Sequence, residues 1–166
     1  MAAREHHHRH DRSELRIGII TLSDSRTAET DDSGKLIREL AERAGHRVVH
    51  YEIAPDTPEL IEQAVAGSLA RVDALILNGG TGIAPRDSTI EVVRRMMGKE
   101  LDGFGELFRM LSYQEIGPAA FLSRALAGVV QGKIVVALPG SPAACRLAME
   151  KLLLPELGHM AHLLGL

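Results

Sequence analysis

A glycine-rich segment is the part of the sequence whose residue types and spacing point most directly to chemistry. Residues 79–87 read GGTGIAPRD. Gly79, Gly80 and Gly82 lack Cβ atoms, so backbone N–H groups can turn inward and approach a ligand closely. Consecutive N–H groups form a concave site for anions such as phosphate. The glycines alone are equally compatible with a tight turn that only joins two elements.

Arg86 and Asp87 place two charged side chains beside these glycines. An arginine can hold phosphate oxygens in a fork, and a carboxylate can hold a Mg²⁺ ion that bridges phosphates. Asp87 is also compatible with an N-cap of a helix starting near Ser88, and the sequence leaves both roles open. The glycine spacing matches neither the Walker A loop nor the G-x-G-x-x-G pattern of dehydrogenases, which disfavours both kinds of nucleotide site.

Three further polar turns follow predicted strands. They contain Ser23-Asp24, Pro55-Asp56 and Pro139-Gly140-Ser141-Pro142. Ligands of open α/β sheets bind beyond the carboxyl ends of the strands, so these turns and the glycine loop should form one composite pocket. Each turn also has a simpler interpretation. Ser23-Asp24 is compatible with a plain polar loop, Asp56 lies between prolines in a sequence typical of turns, and Ser141 before Pro142 makes a good helix N-cap.

The elements that must position these turns are predicted from hydrophobic patterning. Continuous aliphatic and β-branched runs indicate strands buried on both faces, at 15–22, 47–53, 73–77 and 133–138. Helical spacing of apolar residues predicts helices between them, with a capping box of Ser88 and Glu91. Residues 98–117 are predicted as short helices and loops, 118–126 as a helix, and 128–132 as a short paired segment. The alternation predicts an α/β fold, a three-layer αβα sandwich with a mostly parallel central sheet, as one domain over residues 15–166.

Composition excludes several classes of partner. Aromatic residues make up 3% of the chain and the net charge is −3, so we expect neither a nucleic acid nor a membrane surface as a ligand. Cys145 is the single cysteine, which excludes an internal disulfide and a cysteine-based zinc site. No apolar run reaches transmembrane length and no secretory signal is visible, which predicts a cytoplasmic location.

Residues 1–14 are predicted to be a disordered, histidine-rich leader. His6, His7, His8 and His10 stand among charged residues with almost nothing to bury. Histidine clusters can ligate transition metals, so a metal-binding tract is the alternative interpretation of this segment.

The motifs together resemble those of the MoaB/MogA family of molybdenum-cofactor biosynthesis proteins. The resemblance covers nearly everything from Leu15 to the C-terminus, and the stretch at 103–109 is closer to the MoaB branch. The motifs that carry it are TLSDSR at 21–26, Asp-Ser-Gly at 32–34, Pro55-Asp56, GGTGIAPRD at 79–87, GFGELFRMLSYQEIG at 103–117, LSRALAG at 122–128 and LPGSPAAC at 138–145.

What the resemblance implies is a molybdopterin adenylyltransferase. Such an enzyme transfers AMP from Mg·ATP to the terminal phosphate of molybdopterin and releases pyrophosphate, with Mg²⁺ as its cofactor. The alternatives are a non-catalytic molybdopterin-binding or carrier protein of the same pathway, and a scaffolding oligomer. Family members assemble as trimers, and MoaB-branch proteins often as hexamers, so a homo-oligomer is expected.

The resemblance also assigns roles to residues by motif position. Asp56 and Asp87 are the expected catalytic carboxylates and Mg²⁺ ligands. The glycine loop is expected to cradle nucleotide phosphates, and the remaining turns to complete the pocket. The expected phosphate contacts are Gly79, Gly80, Thr81, Gly82, Arg86, Gly140 and Ser141, and the expected contacts to the pterin or its phosphate are Ser23, Asp24, Ser123 and Arg124.

Overall fold

A computed structural model describes residues 14–166 of the chain, so the predicted leader lies outside the described residues except for Glu14. In the described part, six strands form one sheet in the order β2-β1-β3-β6-β5-β4. The strands are β1 Arg16–Leu22, β2 Arg47–Ala54, β3 Ala74–Asn78, β4 Lys99–Glu100, β5 Leu126–Val130 and β6 Lys133–Leu138. The helices are α1 Asp32–Arg43, α2 Pro58–Ser68, α3 Thr89–Met96, α4 Asp102–Ile116, α5 Pro142–Ala148 and α6 Leu154–Leu164.

The sheet is mostly parallel, as the continuous apolar runs predict. Strands β2, β1, β3 and β6 are parallel, whereas β5 is antiparallel to β6 and β4 is antiparallel to β5. The β5–β6 hairpin turns at Gln131 and Gly132, which both have positive φ, as a two-residue hairpin turn requires. The paired segment predicted at 128–132 is therefore the end of β5 and this turn.

Helices cover both faces of the sheet, which confirms the three-layer architecture. One apolar core packs β1 residues such as Ile17 and Ile19 against α1, α4, α5 and α6. The other packs Ile20 and Leu22 against α2 and α3. Successive side chains of β1 enter opposite cores, so every apolar position of this strand is buried. Burial of each such isoleucine or leucine contributes about 1.5–3 kcal/mol.

The prediction of short helices and loops over 98–117 was wrong. A single 15-residue helix, α4, spans Asp102–Ile116. The glycines and the apolar residues on its exposed side obscure its pattern. Gly105 permits a close approach, because a Cβ there would lie 2.9 Å from the carbonyl oxygen of Ala125. Gly117, with φ of 67°, then ends the helix.

Two further local predictions need correction. Residues 117–122 form a 3₁₀ segment and β5 begins at Leu126, so no helix extends through 118–126. The predicted capping box is absent, since the Ser88 side chain makes no cap hydrogen bond and Glu91 binds Arg124 instead. A distant partner thus replaces the local one.

The last helix is interrupted, but its start is as predicted. Ser141 caps α5 by accepting a hydrogen bond from the Ala144 amide, with Pro142 at the first position. A π-helical segment, Met149–Leu153, separates α5 from α6, where Pro155 lacks the amide hydrogen needed for a regular ladder. None of the helices within residues 14–166 is both long and apolar enough to cross a membrane.

Candidate functional site

A cavity of about 460 Å³ opens at the carboxyl ends of the parallel strands. The four turns predicted to meet there all do so, because each follows one of β1, β2, β3 and β6. Asp24 and Ser141 are the two predicted site residues outside the cavity wall. The predicted residues that line it are Ser23, Asp56, Gly79, Gly80, Thr81, Gly82, Arg86, Asp87, Ser123, Arg124 and Gly140.

The glycine loop passes through spaces that other residues could not occupy. Gly79 and Gly80 have φ of 102° and 63°, the left-handed region that favours glycine. A Cβ on Gly79 would lie 2.3 Å from the Leu22 carbonyl oxygen. One on Gly80 would lie 2.4 Å from Asp56 Oδ1 and 2.4 Å from Thr89 Oγ1. The loop is therefore wedged between the end of β1, the Asp56 carboxylate and the start of α3.

Asp56 presents a carboxylate oxygen with no protein partner. Its Oδ1 is buried and accepts no hydrogen bond from any residue in the described range, while its backbone N–H donates to Asp24 Oδ1 at 3.1 Å. Burial raises the pKa of Asp56 above its ordinary value, and the negative charges of Asp87 and Asp24 raise it further, against the opposing charge of Arg86. This arrangement favours a bound cation, which would relieve both the missing contact and the repulsion.

Asp87 closes a turn and does not cap α3. Its Oδ2 accepts the Ala84 N–H at 3.0 Å, and its own N–H donates to the Ala84 carbonyl at 2.9 Å. A Cβ on Gly82 would lie 2.6 Å from Asp87 Oδ2, so the carboxylate lies directly against the glycine loop. The N-cap interpretation is wrong, because Ser88 occupies the position before α3.

The donor set of Asp56 and Asp87 fits a Mg²⁺ ion held partly by substrate. Mg²⁺ in phosphoryl-transfer sites usually takes one or two carboxylates and completes its shell with phosphate oxygens and water. No group of three or more metal-binding side chains occurs in residues 14–166, which disfavours a cage made by the protein alone. The buried, unpartnered Oδ1 of Asp56 is the observation that supports this fit.

Arg26 also lines the cavity, although the sequence did not predict it as a site residue. Its Nη2 donates to the Gly140 carbonyl at 2.9 Å, and its Nη1 lies 3.6 Å from Asp31 Oδ1. These contacts hold the guanidinium in place, so its positive charge lies at the cavity wall. The only sequence signal was its position in the TLSDSR turn after β1.

A buried network supports this wall. Asp31 Oδ2 accepts the Thr21 hydroxyl at 2.6 Å and the Tyr51 hydroxyl at 2.7 Å, while Oδ1 accepts the Gly34 amide at 3.0 Å. Burial, followed by the hydrogen bond to Asp31, raises the pKa of Tyr51 to about 12, so the phenol remains a donor at neutral pH. Asp31 thereby ties the start of α1 to β1 and β2 and supplies a fixed counter-charge for Arg26.

Several predicted contact residues shape the backbone of the site. Ser23 Oγ accepts the N–H of Arg26 at 3.1 Å, and Asp24 holds the turn that carries Asp56. Arg124 Nε and Nη2 donate to the carbonyls of the glycine loop. These side chains act on the cavity through the chain segments that they bind.

Cys145 is a core residue, as its helical position predicts. It is fully buried, its Sγ lies 3.3 Å from the Pro139 carbonyl, and burial raises the pKa of the thiol to about 12. The thiol is thus uncharged at neutral pH, which is inconsistent with a nucleophile.

Comparison with known proteins agrees with this geometry. The family described as "Probable molybdopterin binding domain" matches residues 18–159. "Molybdenum cofactor biosynthesis protein B" of Bacillus cereus is 54% identical over 150 residues, which cover 89% of this chain and 89% of that protein. The protein of the same name from Halalkalibacterium halodurans is 52% identical over 159 residues, with 94% of each chain covered.

Solved structures give the same result. A crystal structure of molybdenum cofactor biosynthesis protein B superposes with a TM-score of 0.90 at 54% identity, covering 92% of this chain and 96% of that one. The tungsten cofactor synthesizing protein MoaB from Pyrococcus furiosus gives 0.81 at 36% identity, covering 89% and 95%. A MogA structure gives 0.80 at 29% identity, covering 90% and 99%. The chain therefore belongs to the molybdopterin-binding family of molybdenum-cofactor biosynthesis proteins, and within it is closer to MoaB than to MogA.

Proposed function

We propose that this protein binds molybdopterin and transfers AMP from Mg·ATP to its terminal phosphate, releasing pyrophosphate. The observation that carries the proposal is the juxtaposition of two features in one cavity. Three consecutive backbone amides, those of Gly80, Thr81 and Gly82, have no acceptor within residues 14–166. The carboxylates of Asp56 and Asp87 lie beside them. Amide donors suit phosphate oxygens, and carboxylates suit the cation that accompanies a nucleotide.

The reaction requires no nucleophile from the protein. An oxygen of the molybdopterin phosphate forms a bond to the α-phosphorus of ATP as the bond to the β-phosphate oxygen breaks. Pyrophosphate leaves with that electron pair. The enzyme must hold two polyanions in line and stabilise the charge on the transferred group. The loop amides and Arg86 are suited to binding the phosphates, and Arg26 adds a second cationic side chain to the same cavity wall.

Asp56 and Asp87 would hold Mg²⁺, which neutralises phosphate charge and orients the nucleotide when bound. Burial, followed by repulsion from Asp87 and Asp24, raises the pKa of Asp56, and a cation at this position would relieve both effects. The proposed use of ATP is also consistent with the cytoplasmic location predicted from the sequence.

The test is an adenylylation assay with purified protein, molybdopterin and Mg·ATP, with the product detected by mass. Wild-type protein should form adenylylated molybdopterin, and Asp56→Asn or Asp87→Asn should lower the rate by about 10²-fold or more. Asp102→Asn is the matched control, because this exposed aspartate begins α4 outside the cavity.

The carrier alternative predicts a different result. A carrier would bind molybdopterin tightly yet form no adenylylated product at any Mg·ATP concentration. That outcome would reject the transferase proposal and keep the pathway assignment that the family supports.

A homo-oligomer, a trimer or a hexamer, is part of the proposal. Helix α4 exposes several large apolar side chains, and the 3₁₀ segment that follows exposes Phe121 at 75%. Apolar side chains on adjacent turns of one helix favour an interface between copies. The exposed residues on α4 are Leu107, Met110, Tyr113 and Ile116.

A further inference from the structure

We infer that Arg124 is a positioning residue, which shapes the glycine loop for its ligand and does not itself bind the ligand. It joins the loop to α3 through Glu91, and together with Thr89 it turns the loop carbonyls away from the cavity. The inference deepens the proposed function and rests on it for the identity of the ligand as a phosphate group. Its geometric basis is a set of hydrogen bonds within the protein.

Four consecutive carbonyl groups of the loop are bound by protein donors. Thr89 Oγ1 donates to the Gly79 carbonyl at 2.9 Å, and the Thr89 amide donates to the Gly80 carbonyl at 3.0 Å. Arg124 Nε donates to the Thr81 carbonyl at 2.8 Å, and Arg124 Nη2 donates to the Gly82 carbonyl at 2.7 Å. Two residues, Thr89 through its side chain and its amide and Arg124 through its side chain, therefore fix the direction of every peptide oxygen from 79 to 82.

The amide groups of the same peptides are left for a ligand. The Gly79 N–H donates to the Leu138 carbonyl at 3.0 Å, but those of Gly80, Thr81 and Gly82 have no acceptor in the part of the chain that the structure describes. Thr81 is buried, so its amide is unpartnered at a position that excludes much of the solvent. Unsatisfied amides at such a position are costly unless a ligand or water accepts from them.

The guanidinium of Arg124 is itself held in place. Its Nη1 forms an ion pair with Glu91 Oε1, and this hydrogen bond lowers the pKa of Glu91. Nε, Nη1 and Nη2 each donate to a protein acceptor, so four of the five N–H groups hold the loop and Glu91. The guanidinium keeps one N–H, on Nη1, beyond these contacts. Glu91 lies outside the cavity wall, which separates its effect from any ligand contact of its own.

Arginine is suited to this role and lysine is not. The planar guanidinium presents donors in a fixed fork, which can serve two successive carbonyls and a carboxylate at once. An ammonium is a compact charge on a flexible stem and cannot hold all three acceptors at these directions. Carbonyl oxygens facing the cavity would repel a phosphate, so releasing them should weaken anion binding without removing a direct contact.

The experiment measures inorganic pyrophosphate binding by calorimetry and by the ¹H–¹⁵N shifts of Gly80, Thr81 and Gly82. The variants are Arg124→Lys, Glu91→Ala and the double substitution. Arg94→Gln is the matched control, because Arg94 lies on α3 like Glu91 and forms a bidentate pair with Glu100 outside this cavity. Thermal melting of each variant checks the fold, and Glu91 is exposed enough to be replaced without loss of the core.

We expect Arg124→Lys and Glu91→Ala each to weaken pyrophosphate binding by about tenfold, the equivalent of one charge-assisted hydrogen bond. The double variant should be no weaker than the stronger single one, since both remove the same restraint. Wild type and Arg94→Gln should bind alike, and pyrophosphate should shift all three loop amides.

Four outcomes would overturn the inference. The first is a wild-type pyrophosphate affinity in Glu91→Ala together with a loss of affinity in Arg124→Lys. The second is an additive loss of affinity in the double variant, and the third is no loss in either single variant. The fourth is pyrophosphate that does not bind at the loop amides. The first would make Arg124 a direct ligand. If the protein forms no adenylylated product but the Arg124 and Glu91 variants still show the non-additive loss of pyrophosphate affinity, the proposed reaction is rejected and this inference stands.

Discussion

At Asp56, the side chain that suits the proposed function lowers the stability of the protein. Its Oδ1 is buried without a hydrogen-bond donor, and burial, followed by the charges of Asp87 and Asp24, raises its pKa. An unpartnered, partly buried charge lowers the free energy of unfolding, and proteins tolerate it mainly where a ligand supplies the missing partner. We therefore expect Asp56 to contribute more to the stability of a ligand complex than to that of the protein alone.

Asp56→Asn should stabilise the metal-free protein at neutral pH while lowering the rate of the proposed reaction by about 10²-fold or more. The folded-state pKa of Asp56 is raised above 3.8, so the folded chain binds more protons than the unfolded chain between the two values. Its contribution to stability is thus greatest below the unfolded pKa and is lost as pH rises through the folded pKa. Asparagine does not ionise and escapes this loss.

Thermal melting in chelator across pH checks this prediction. The melting temperature of Asp56→Asn minus that of wild type should be smallest below pH 3.8 and rise to a plateau above the folded pKa. A difference that is constant with pH, or that also occurs in the Asp102→Asn control, would contradict the interpretation.

At the scale of the element, the glycine loop depends on two distinct constraints. Gly80 combines φ of 63° with a Cβ position only 2.4 Å from Asp56 Oδ1. Gly132, in the β5–β6 turn, also has a positive φ, of 76°, but has nothing within 4 Å of its Cβ position. The two glycines allow backbone strain to be separated from the clash with the site.

Gly80→Ala should therefore abolish phosphate binding and destabilise the fold more than Gly132→Ala. The left-handed backbone alone costs about 1–2 kcal/mol in each variant. The additional contact in Gly80→Ala forces Asp56 or the loop to move. Chemical denaturation measures the free energy of unfolding, and pyrophosphate titration measures binding. Equal losses of stability in both variants, with binding intact, would show that the contact has no effect.

Helix α4 illustrates how an element can escape a sequence pattern. Its apolar residues lie on two faces, because Phe108 is buried in the core while Leu107 and Met110 are exposed. A period of 3.6 residues is visible only when one face is polar, so the segment resembles a mixture of short elements. The error arose because large apolar side chains lie on the exposed side of this helix as well as on its buried side.

At the scale of the whole molecule, the sheet order creates the site. The parallel crossovers place the ends of β1, β2, β3 and β6 at one edge, which brings turns from four distant parts of the sequence around one cavity. The antiparallel β4 and β5 extend the other side of the sheet, next to α4. The exposed face of α4 is thus separate from the loop amides and is suited to a contact with another copy.

Native mass spectrometry should give three or six times the chain mass of 18.0 kDa. Met110→Glu should shift the mass toward that of a monomer, because Met110 is 52% exposed on the apolar face of α4 and a buried charge there is unfavourable. Leu60→Glu is the control, an exposed leucine on α2. A monomeric wild type, or equal dissociation in both variants, would reject the proposed interface.

The sequence by itself determined the features that depend on neighbouring residues. Buried strands, the cap at Ser141 and the glycine-rich turn follow from hydrophobic runs and backbone sterics, which act over a few residues. The αβα class followed from their alternation, and the common pocket followed from the rule that ligands bind beyond parallel strand ends. The order and spacing of the motifs were specific enough to indicate the family.

Only the tertiary structure decided which side chains meet. Arg124 and Thr81 are 43 residues apart, and Arg26 and Gly140 are 114 residues apart. The Asp31 network and the true partner of Glu91 likewise join separate elements. No local pattern encodes these contacts, because a guanidinium or carboxylate suits many partners and the fold alone brings one within reach. The physical reason is that backbone preferences are short-ranged, whereas burial and charge pairing are settled only when the chain is packed.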